Sequence, residues 1–200
     1  MNDSDASRTA RRRAAEAGHV GDESSARLLL ADPSGAVRAS ALGALARMGA
    51  AREADVTRAL SDADARLRRR GCQVAARLPD VAGPELLACA GDADPSVVEI
   101  AAWALGERGR PAPEVIERLC AIATTHEEPL CRESAVAALG AIGDERGLPA
   151  ILAATCDRAT VRRRAIIALA PFSGAEVDAA LQLAKDDKDW QVRQAAEDLS

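Results

Sequence analysis

The sequence predicts an all-α fold, a right-handed α-solenoid (superhelix) of about six two-helix repeats with a period of about 30 residues, over residues 20–200. The first supporting observation is an apolar anchor residue followed four and seven positions later by small or apolar residues. This pattern returns in steps of 30, 30, 34, 30 and 31 residues, and its anchors are Val37, Leu67, Val97, Cys131, Val161 and Val192. A fixed period of this size is typical of stacked helix pairs, because one pair cannot bury its apolar side alone.

Composition and turn residues are the other two observations. The chain has 48% hydrophobic but only 2% aromatic residues, so Ala, Leu, Val and Ile must form the core, which suits closely packed helices. Acidic residues stand a few positions before the anchors, where they can accept hydrogen bonds from free helix amides: Asp32, Asp62, Asp64, Asp92, Asp94, Glu128, Asp157, Asp187 and Asp189. Prolines at first turns and glycines after second helices agree with the same register.

The individual elements follow from these signals in chain order. We expect residues 1–19 to be a disordered N-terminus in which Ala10–Gly18 forms a degenerate capping helix, because that stretch echoes the repeat. The first helices of the six pairs are predicted at 22–31, 51–61, 83–90, 112–124, 147–156 and 175–185. The second helices are predicted at 34–48, 65–78, 95–108, 129–142, 159–171 and 189–199. The longer step of 34 residues predicts a tolerated loop insertion around Gly109–Pro113.

The repeated unit Asp-x-x-x-x-Val-Arg-x-x-Ala-x-x-Ala-Leu-Gly resembles the HEAT-like repeat named after phycobilisome (PBS) lyases. The resemblance covers the six copies from about residue 20 to the end. It implies that the second helices line a concave face and the first helices a convex one. It implies little about function, because this repeat occurs in lyase subunits, chaperones, adaptors and regulators.

The orientation of each second helix follows from counting about 100° per residue from its anchor. Positions +4, +7, +8 and +11 cluster with the anchor and form the core side, whereas positions +2, +6 and +9 are predicted to face solvent. The resulting candidate binding residues of the concave face are Trp103, Glu99, Glu133, Arg69, Arg163, Gln73 and Ile167. Trp103 is either a binding anchor at the middle of the stack or a space-filling residue, and the sequence leaves both open.

The residue after the anchor is Arg in five copies, and Val98 replaces it in the third. Because it lies about 100° from the anchor, it is predicted to reach the turn of a neighbouring repeat and pair with the Asp there. We expect a structural ladder of arginines that sets repeat register more than stability: Arg38, Arg68, Arg132, Arg162 and Arg193.

Several function classes receive little support. His126-Glu127 is similar to the iron-binding pairs of HEAT-type deoxyhypusine hydroxylases, but the chain has only His19 besides, and we predict no metal and no cofactor. No Ser-His or Cys-His spacing and no Gly-rich phosphate loop predicts catalysis. The five cysteines form no CxxC pair and are read as buried reduced thiols. The net charge of −5 argues against nucleic acid, and the two arginine triplets are read as solvated or structural.

These observations favour a non-enzymatic interaction scaffold or adaptor that binds another protein or peptide on the concave face. We expect a cytoplasmic monomer without membrane contact, because no targeting or membrane-spanning segment is recognisable. Two alternatives remain open: a lyase- or chaperone-like subunit related to the phycobilin lyases, and a HEAT-type nucleic-acid binder.

Overall fold

The protein is described by a computed structural model that covers residues 3–78, 80–109 and 111–199. Arg110, in the predicted insertion, lies outside this part, as do Met1 and Asn2 of the predicted disordered start. The described residues form α-helices joined by short turns and contain no β-strand. The helices are α1 (Asp3–Val20), α2 (Glu23–Leu29), α3 (Gly35–Arg47), α4 (Glu53–Leu60), α5 (Ala65–Ala75), α6 (Gly83–Cys89), α7 (Pro95–Glu107), α8 (Pro113–Thr125), α9 (Pro129–Ile142), α10 (Leu148–Ala154), α11 (Ala159–Ala168), α12 (Ala175–Ala184) and α13 (Trp190–Glu197).

The six predicted helix pairs are confirmed as α2/α3, α4/α5, α6/α7, α8/α9, α10/α11 and α12/α13, with every boundary within three residues of its predicted place. A single 3₁₀ turn, Glu145–Gly147, precedes α10. By compactness the chain divides after Val97 into two units, which are described separately. Unit 1 comprises the residues up to 97, and unit 2 comprises those from 98 onward.

The anchors of the repeat form the core, as their spacing predicted. All six are buried, and none is more than 4% exposed: Val37, Leu67, Val97, Cys131, Val161 and Val192. The residues at +4 and +7 of α3, α9 and α11 are buried as well. Burying this aliphatic surface between successive pairs is the main stabilisation of such a stack.

Helix α1 begins at Asp3, whereas the sequence suggested disorder over residues 1–9 and a helix only from Ala10. Its inner side buries Ala14 and Ala17. A Cβ placed on Gly18 would lie 2.7 Å from the Cβ of Ala44 on α3, so the two helices are nearly in backbone contact. The additional turns carry polar residues, which the apolar periodicity could not detect.

The same close approach occurs twice in unit 2, and it corrects the prediction that position +9 faces solvent. Gly106 and Gly140 occupy this position, and a Cβ on them would lie 2.8 Å and 2.7 Å from the Cα atoms of Ala138 and Ala168. Glycine at +9 therefore lets one second helix approach the next. The 100° count missed this contact because it considers one helix without its neighbours.

The arginines after the anchors connect consecutive repeats. Their guanidinium groups form ion pairs of 2.6–2.7 Å with the turn of the next pair: Arg38 with Asp62, Arg68 with Asp92, Arg132 with Asp157, and Arg162 with Asp187. Each arginine also donates to a carbonyl of its own turn. Arg193, in the last pair, donates to the carbonyl of Asp187 at 2.7 Å. That these contacts set repeat register stays a prediction.

The third repeat replaces both members of such a pair. Val98, only 1% exposed, stands where the other copies carry Arg. His126 stands at the turn position that is Asp in other repeats, and its Nδ1 accepts from the Glu128 amide at 3.1 Å. Asp62 and Asp92 accept the equivalent amide bond in their turns. His126 thus keeps the turn hydrogen bond of the aspartates but offers no carboxylate to a cation.

The structure also bears on the expectations about membrane-spanning helices and about the cysteines. Over the described residues, no helix has the combined length and apolarity that crossing a bilayer requires. The five cysteines, which all lie in the described ranges, form no disulfide. Cys72, Cys89 and Cys131 are buried as expected, but Cys120 of α8 is half-buried and Cys156, in the turn after α10, is exposed.

Candidate functional site

In unit 2, the candidate residues lie on the outward side of the second helices α7, α9, α11 and α13, which we call the unit 2 face. Trp103 lies on α7 between the buried residues Ala102 and Ala104 and is 38% exposed. Its indole is therefore neither sealed between layers nor fully free. A large aromatic side chain held in this half-covered position can contact a ligand without losing much conformational freedom.

The two candidate acids stand on neighbouring helices of this face. Glu99 precedes Trp103 by one helical turn, and its backbone carbonyl accepts a 2.7 Å hydrogen bond from Ser134 Oγ of α9. Glu133 Oε1 accepts from Arg164 Nη2 of α11 at a long 3.4 Å. A cross-helix hydrogen bond thus ties the backbone at Glu99 to α9, and a single long contact joins the carboxylate of Glu133 to α11.

The charge of Glu99 is also felt by a buried thiol. Burial, followed by the negative charges of Glu99 and Glu128, raises the pKa of Cys131 to about 11. The thiol therefore stays protonated at neutral pH and behaves as a small core residue rather than as a nucleophile.

A cavity of about 300 Å³ opens between α11 and α13. Its walls contain the candidate residues Arg163 and Ile167 together with Trp190, Gln191, Gln194 and Asp198. Ile167 is 37% exposed and Trp190 is 65% exposed. We call this the Trp190 cavity; it combines two exposed apolar side chains with amide and charged groups, a composition that is usual for ligand pockets.

The sequence analysis did not identify Trp190 as a site residue. Counting backwards from the anchor Val192 would have found it. Trp190 stands two positions before Val192, which places it about 160° around the helix from the anchor and on the same side as position +2. The count from each anchor covered only the positions after it, whereas Trp190 lies before its anchor in the first turn of α13.

In unit 1, the candidates Arg69 and Gln73 lie on α5, and both are half-buried. They line a second cavity, of about 220 Å³, whose floor is α3 and whose opposite wall is Arg11 of α1. Arg66 and Arg70 complete the α5 side. The structure thus brings together on one surface several arginines that sequence reasoning had treated mainly as solvated.

The remaining motifs have structural positions. Arg162 is 9% exposed and pairs with Asp187, whereas Arg163 lines the Trp190 cavity and Arg164 contacts Glu133. His126 lies in the turn after α8. Throughout the described ranges, no group of three or more His, Cys, Asp or Glu residues is arranged to hold a metal ion.

Solved structures with the same fold include proteins of natural and designed origin. YibA of E. coli matches with a TM-score of 0.65 at 20% identity, covering 86% of this chain and 67% of that one. A designed armadillo repeat protein in complex with the peptide (KR)4 matches with a TM-score of 0.60 at 15% identity, covering 86% and 95%. An engineered protein matches with a TM-score of 0.61 at 17% identity, covering 88% and 94%. At these identities the likeness establishes the fold alone.

Comparison with curated proteins finds no match. The family model for HEAT repeats matches three overlapping segments, residues 56–139, 83–170 and 116–199, which together cover well over half of the chain. The segments follow the register of the anchors and the helix pairs described above. The chain therefore belongs to the HEAT-repeat family.

Proposed function

We propose that this protein is a non-enzymatic scaffold or adaptor that binds a peptide segment of a partner protein on the outward side of its second helices. The observation that carries the proposal is the Trp190 cavity, where Trp190 and Ile167 are exposed beside polar groups that can fix a ligand. A stack of repeats presents an extended surface of side chains, and repeat proteins use such surfaces to bind other molecules.

The energetic argument starts from the exposed apolar side chains. Trp103, Ile167 and Trp190 all lie on second helices, and each exposes more than a third of its surface. Removing such a side chain from water contributes about 25 cal/mol per Å² of apolar surface, so a few of them can anchor a peptide. Arg163, Gln194 and Asp198 around the cavity supply the polar rim.

The charges of the unit 2 face indicate the kind of peptide. Glu99, Glu133 and Asp198 are acidic, and Arg163 is basic, so a segment with apolar and basic or mixed-charge residues complements them. The designed armadillo protein of the same fold, solved with the peptide (KR)4, supports this type of ligand for a stack of helical repeats. The candidate residues Arg69 and Gln73 belong to unit 1 and stay proposed binding residues of that unit.

The narrower expectations about this scaffold belong to the same proposal. They are that its repeats are of the PBS-lyase subtype, that it acts as a monomer, and that it works in the cytoplasm, where free thiols remain reduced. The buried thiols Cys72 and Cys89 are compatible with that compartment.

Selection from a random peptide library, followed by fluorescence anisotropy with the selected peptides, tests the proposal. We expect Trp103→Ala and Trp190→Ala each to weaken binding about tenfold, because each removes an anchor. Leu183→Ala is the matched control, since Leu183 is 78% exposed on the first helix α12 and should change affinity less than about twofold.

Two results would contradict the proposal. One is a selection that yields no specific peptide. The other is a set of peptides that bind the Trp103→Ala/Trp190→Ala double variant as tightly as the original protein, with the helix content of both unchanged by circular dichroism.

A further inference from the structure

Unit 1 contains a cleft whose walls consist mainly of arginine side chains, which sets it apart from the unit 2 face. Its wall residues are Arg11 on α1 and Arg66, Arg69, Arg70 and Gln73 on α5, and its floor is α3; we call it the arginine cleft. The floor is low because α3 presents only small residues there, namely Ala36, Ala39 and Ser40. Small side chains between two taller walls leave an open depression of about 220 Å³.

The guanidinium groups in this cleft are poorly neutralised. Arg66 is held by Asp64 through a two-point ion pair of 2.8–3.0 Å. In the described part of the chain, the guanidinium groups of Arg11, Arg69 and Arg70 have neither an ion pair nor a hydrogen bond. Most other arginines of this unit that lie near the core are paired, as Arg38 and Arg68 show.

The position and the pKa of Arg70 show that its charge is unfavourable without a partner. Its guanidinium group lies across α3, where a Cβ on Gly43 would come within 3.3 Å of its Nε. Burial, and then the positive charges of Arg47 and Arg69, lower the pKa of Arg70 below its usual range. A half-buried cation beside two like charges is unfavourable in the free protein, and an anion placed between them would remove that penalty.

We propose that the arginine cleft binds an acidic peptide segment of a partner protein, whose carboxylates pair with the guanidinium groups of Arg11, Arg69 and Arg70. This inference rests on the proposed scaffold function and deepens it by naming the chemistry of the partner for unit 1. Guanidinium groups bind carboxylates through two parallel hydrogen bonds, which gives orientation as well as charge pairing.

The dimensions of the cleft define the ligand further. Packed helices lie about 8–10 Å apart, so the walls α1 and α5, separated by α3, are about 16–20 Å apart. An extended chain advances about 3.3 Å per residue, so a segment of about six residues spans the distance. The ligand should therefore carry acidic residues toward both of its ends, one group for Arg11 and one for Arg69 and Arg70.

Two features favour a peptide over a nucleic acid as the source of the negative charge. Residues 1–97 contain no Phe, Trp or Tyr, so the cleft offers no ring on which bases could stack. The half-buried amide of Gln73, which has no hydrogen bond within the described residues, can both donate to and accept from a peptide backbone.

The experiment uses the whole chain and a fluorescein-labelled peptide of about eight glutamates, a length that spans the cleft. Labelled peptides of glutamine and of lysine, and a single-stranded oligo(dT) of matched length, serve as comparison ligands. We expect anisotropy to show binding of the glutamate peptide alone, with an affinity that falls as salt is raised from about 50 to 200 mM.

Variants place the binding in the cleft. Arg69→Gln/Arg70→Gln should weaken binding of the glutamate peptide at least about tenfold. The double variant Arg58→Gln/Arg77→Gln removes the same charge from two exposed arginines elsewhere in unit 1 and should change the affinity less than about twofold. Should Arg69→Gln/Arg70→Gln lose helix content, Arg11→Gln, at an exposed position of α1, replaces it with an expected loss of about threefold.

The outcomes are distinct from those of the proposed function. No binding of the glutamate peptide, equal weakening by the control variant, or tighter binding of the oligo(dT) at the same arginines each overturns the inference. Selected peptides that depend on Trp190 would still support the scaffold. Conversely, binding of the glutamate peptide through Arg69 and Arg70, without any ligand that depends on Trp103 or Trp190, would retain the cleft and overturn the proposed role of unit 2.

Discussion

The second helices of the two units carry different outward side chains. The arginine cleft of unit 1 is basic and has no aromatic residue, whereas the unit 2 face combines Trp103 and Trp190 with Glu99 and Glu133. The charge balance follows the same division. Residues 1–97 contain 14 basic and 14 acidic residues, while residues 98–200 contain 12 and 17, so the net charge of −5 belongs to unit 2.

The comparison teaches that the repeat fixes the packing and leaves the outward positions free. Position +2 is Arg69 in one repeat and Glu99 in the next, and position +6 is Gln73 and then Trp103. These residues do not hold the layers together, so the fold tolerates opposite charges at equivalent places. A mean property such as the total charge therefore hides a basic cleft within an acidic protein.

The largest expected effect comes from breaking the close helix packing beneath the unit 2 face. Gly140→Val should lower the free energy of unfolding by about 2–4 kcal/mol, because its Cβ would lie 2.7 Å from the Cα of Ala168, where backbone and not a flexible side chain is in the way. Urea denaturation measures the loss. Ala121→Val, at an exposed position of α8, is the control and should cost less than about 1 kcal/mol; equal costs would contradict close helix contact at Gly140.

A smaller loss is expected from the arginine ladder. Arg162→Met should cost about 1–3 kcal/mol, because it removes three hydrogen bonds to Asp187 and Asp157 and leaves the Asp187 carboxylate unpaired. Arg158→Met, at an exposed position before α11, is the control and should be nearly neutral. Equal stability of Arg162→Met and the original protein would show that the ladder contributes nothing.

The pH dependence of the same pair has a definite sign. The hydrogen bonds from Arg162 hold the pKa of Asp187 below its usual value, so the folded carboxyl releases its proton more readily than the unfolded one. The stabilisation is therefore complete above the unfolded pKa of about 3.9 and is lost as the pH falls through the lower folded value. Denaturation curves should show the difference between Arg162→Met and the original protein shrinking below about pH 4; a constant difference would contradict this linkage.

The third repeat, where Val98 and His126 stand in place of the Arg and Asp of other repeats, gives a sharper test with a smaller expected effect. Val98→Arg alone should destabilise unit 2, because it places a cation at a position only 1% exposed. Adding His126→Asp supplies the acid that other turns carry, and a double-mutant cycle should show a favourable coupling of about 1 kcal/mol. Zero coupling would mean that Val98 and His126 are not equivalent to Arg68 and Asp92 in space.

The smallest effect is spectroscopic and tests the unit 2 face directly. Both tryptophans, Trp103 and Trp190, belong to unit 2. A selected peptide in the Trp190 cavity should therefore shift the indole emission and protect it from acrylamide. Unchanged emission and quenching at a saturating concentration of that peptide would contradict binding at the Trp190 cavity.

The sequence alone determined the architecture of this protein. Anchors such as Val37 and Val161 recur in register with acidic turns and, in some repeats, first-turn prolines, and local signals that agree at nearly every boundary leave few alternative folds. The direction of positions +2 and +6 followed from helix geometry, which is why Trp103 and Ile167 were found. The sequence did not reveal the identity of the partner, because the repeat does not constrain the outward residues.

Apart from the Arg–Asp pairs between consecutive repeats, only the tertiary structure decided which side chains meet across helices. It placed Gly106 against Ala138, turned Trp190 into a cavity wall beside Ile167, and gathered Arg11 with Arg69 and Arg70 around the small residues of α3. These residues are about 20 to 60 positions apart in the chain, and a periodic pattern carries information about one helix at a time. Contacts between helices depend on their separation and relative rotation, which are set by the packing of the whole layer.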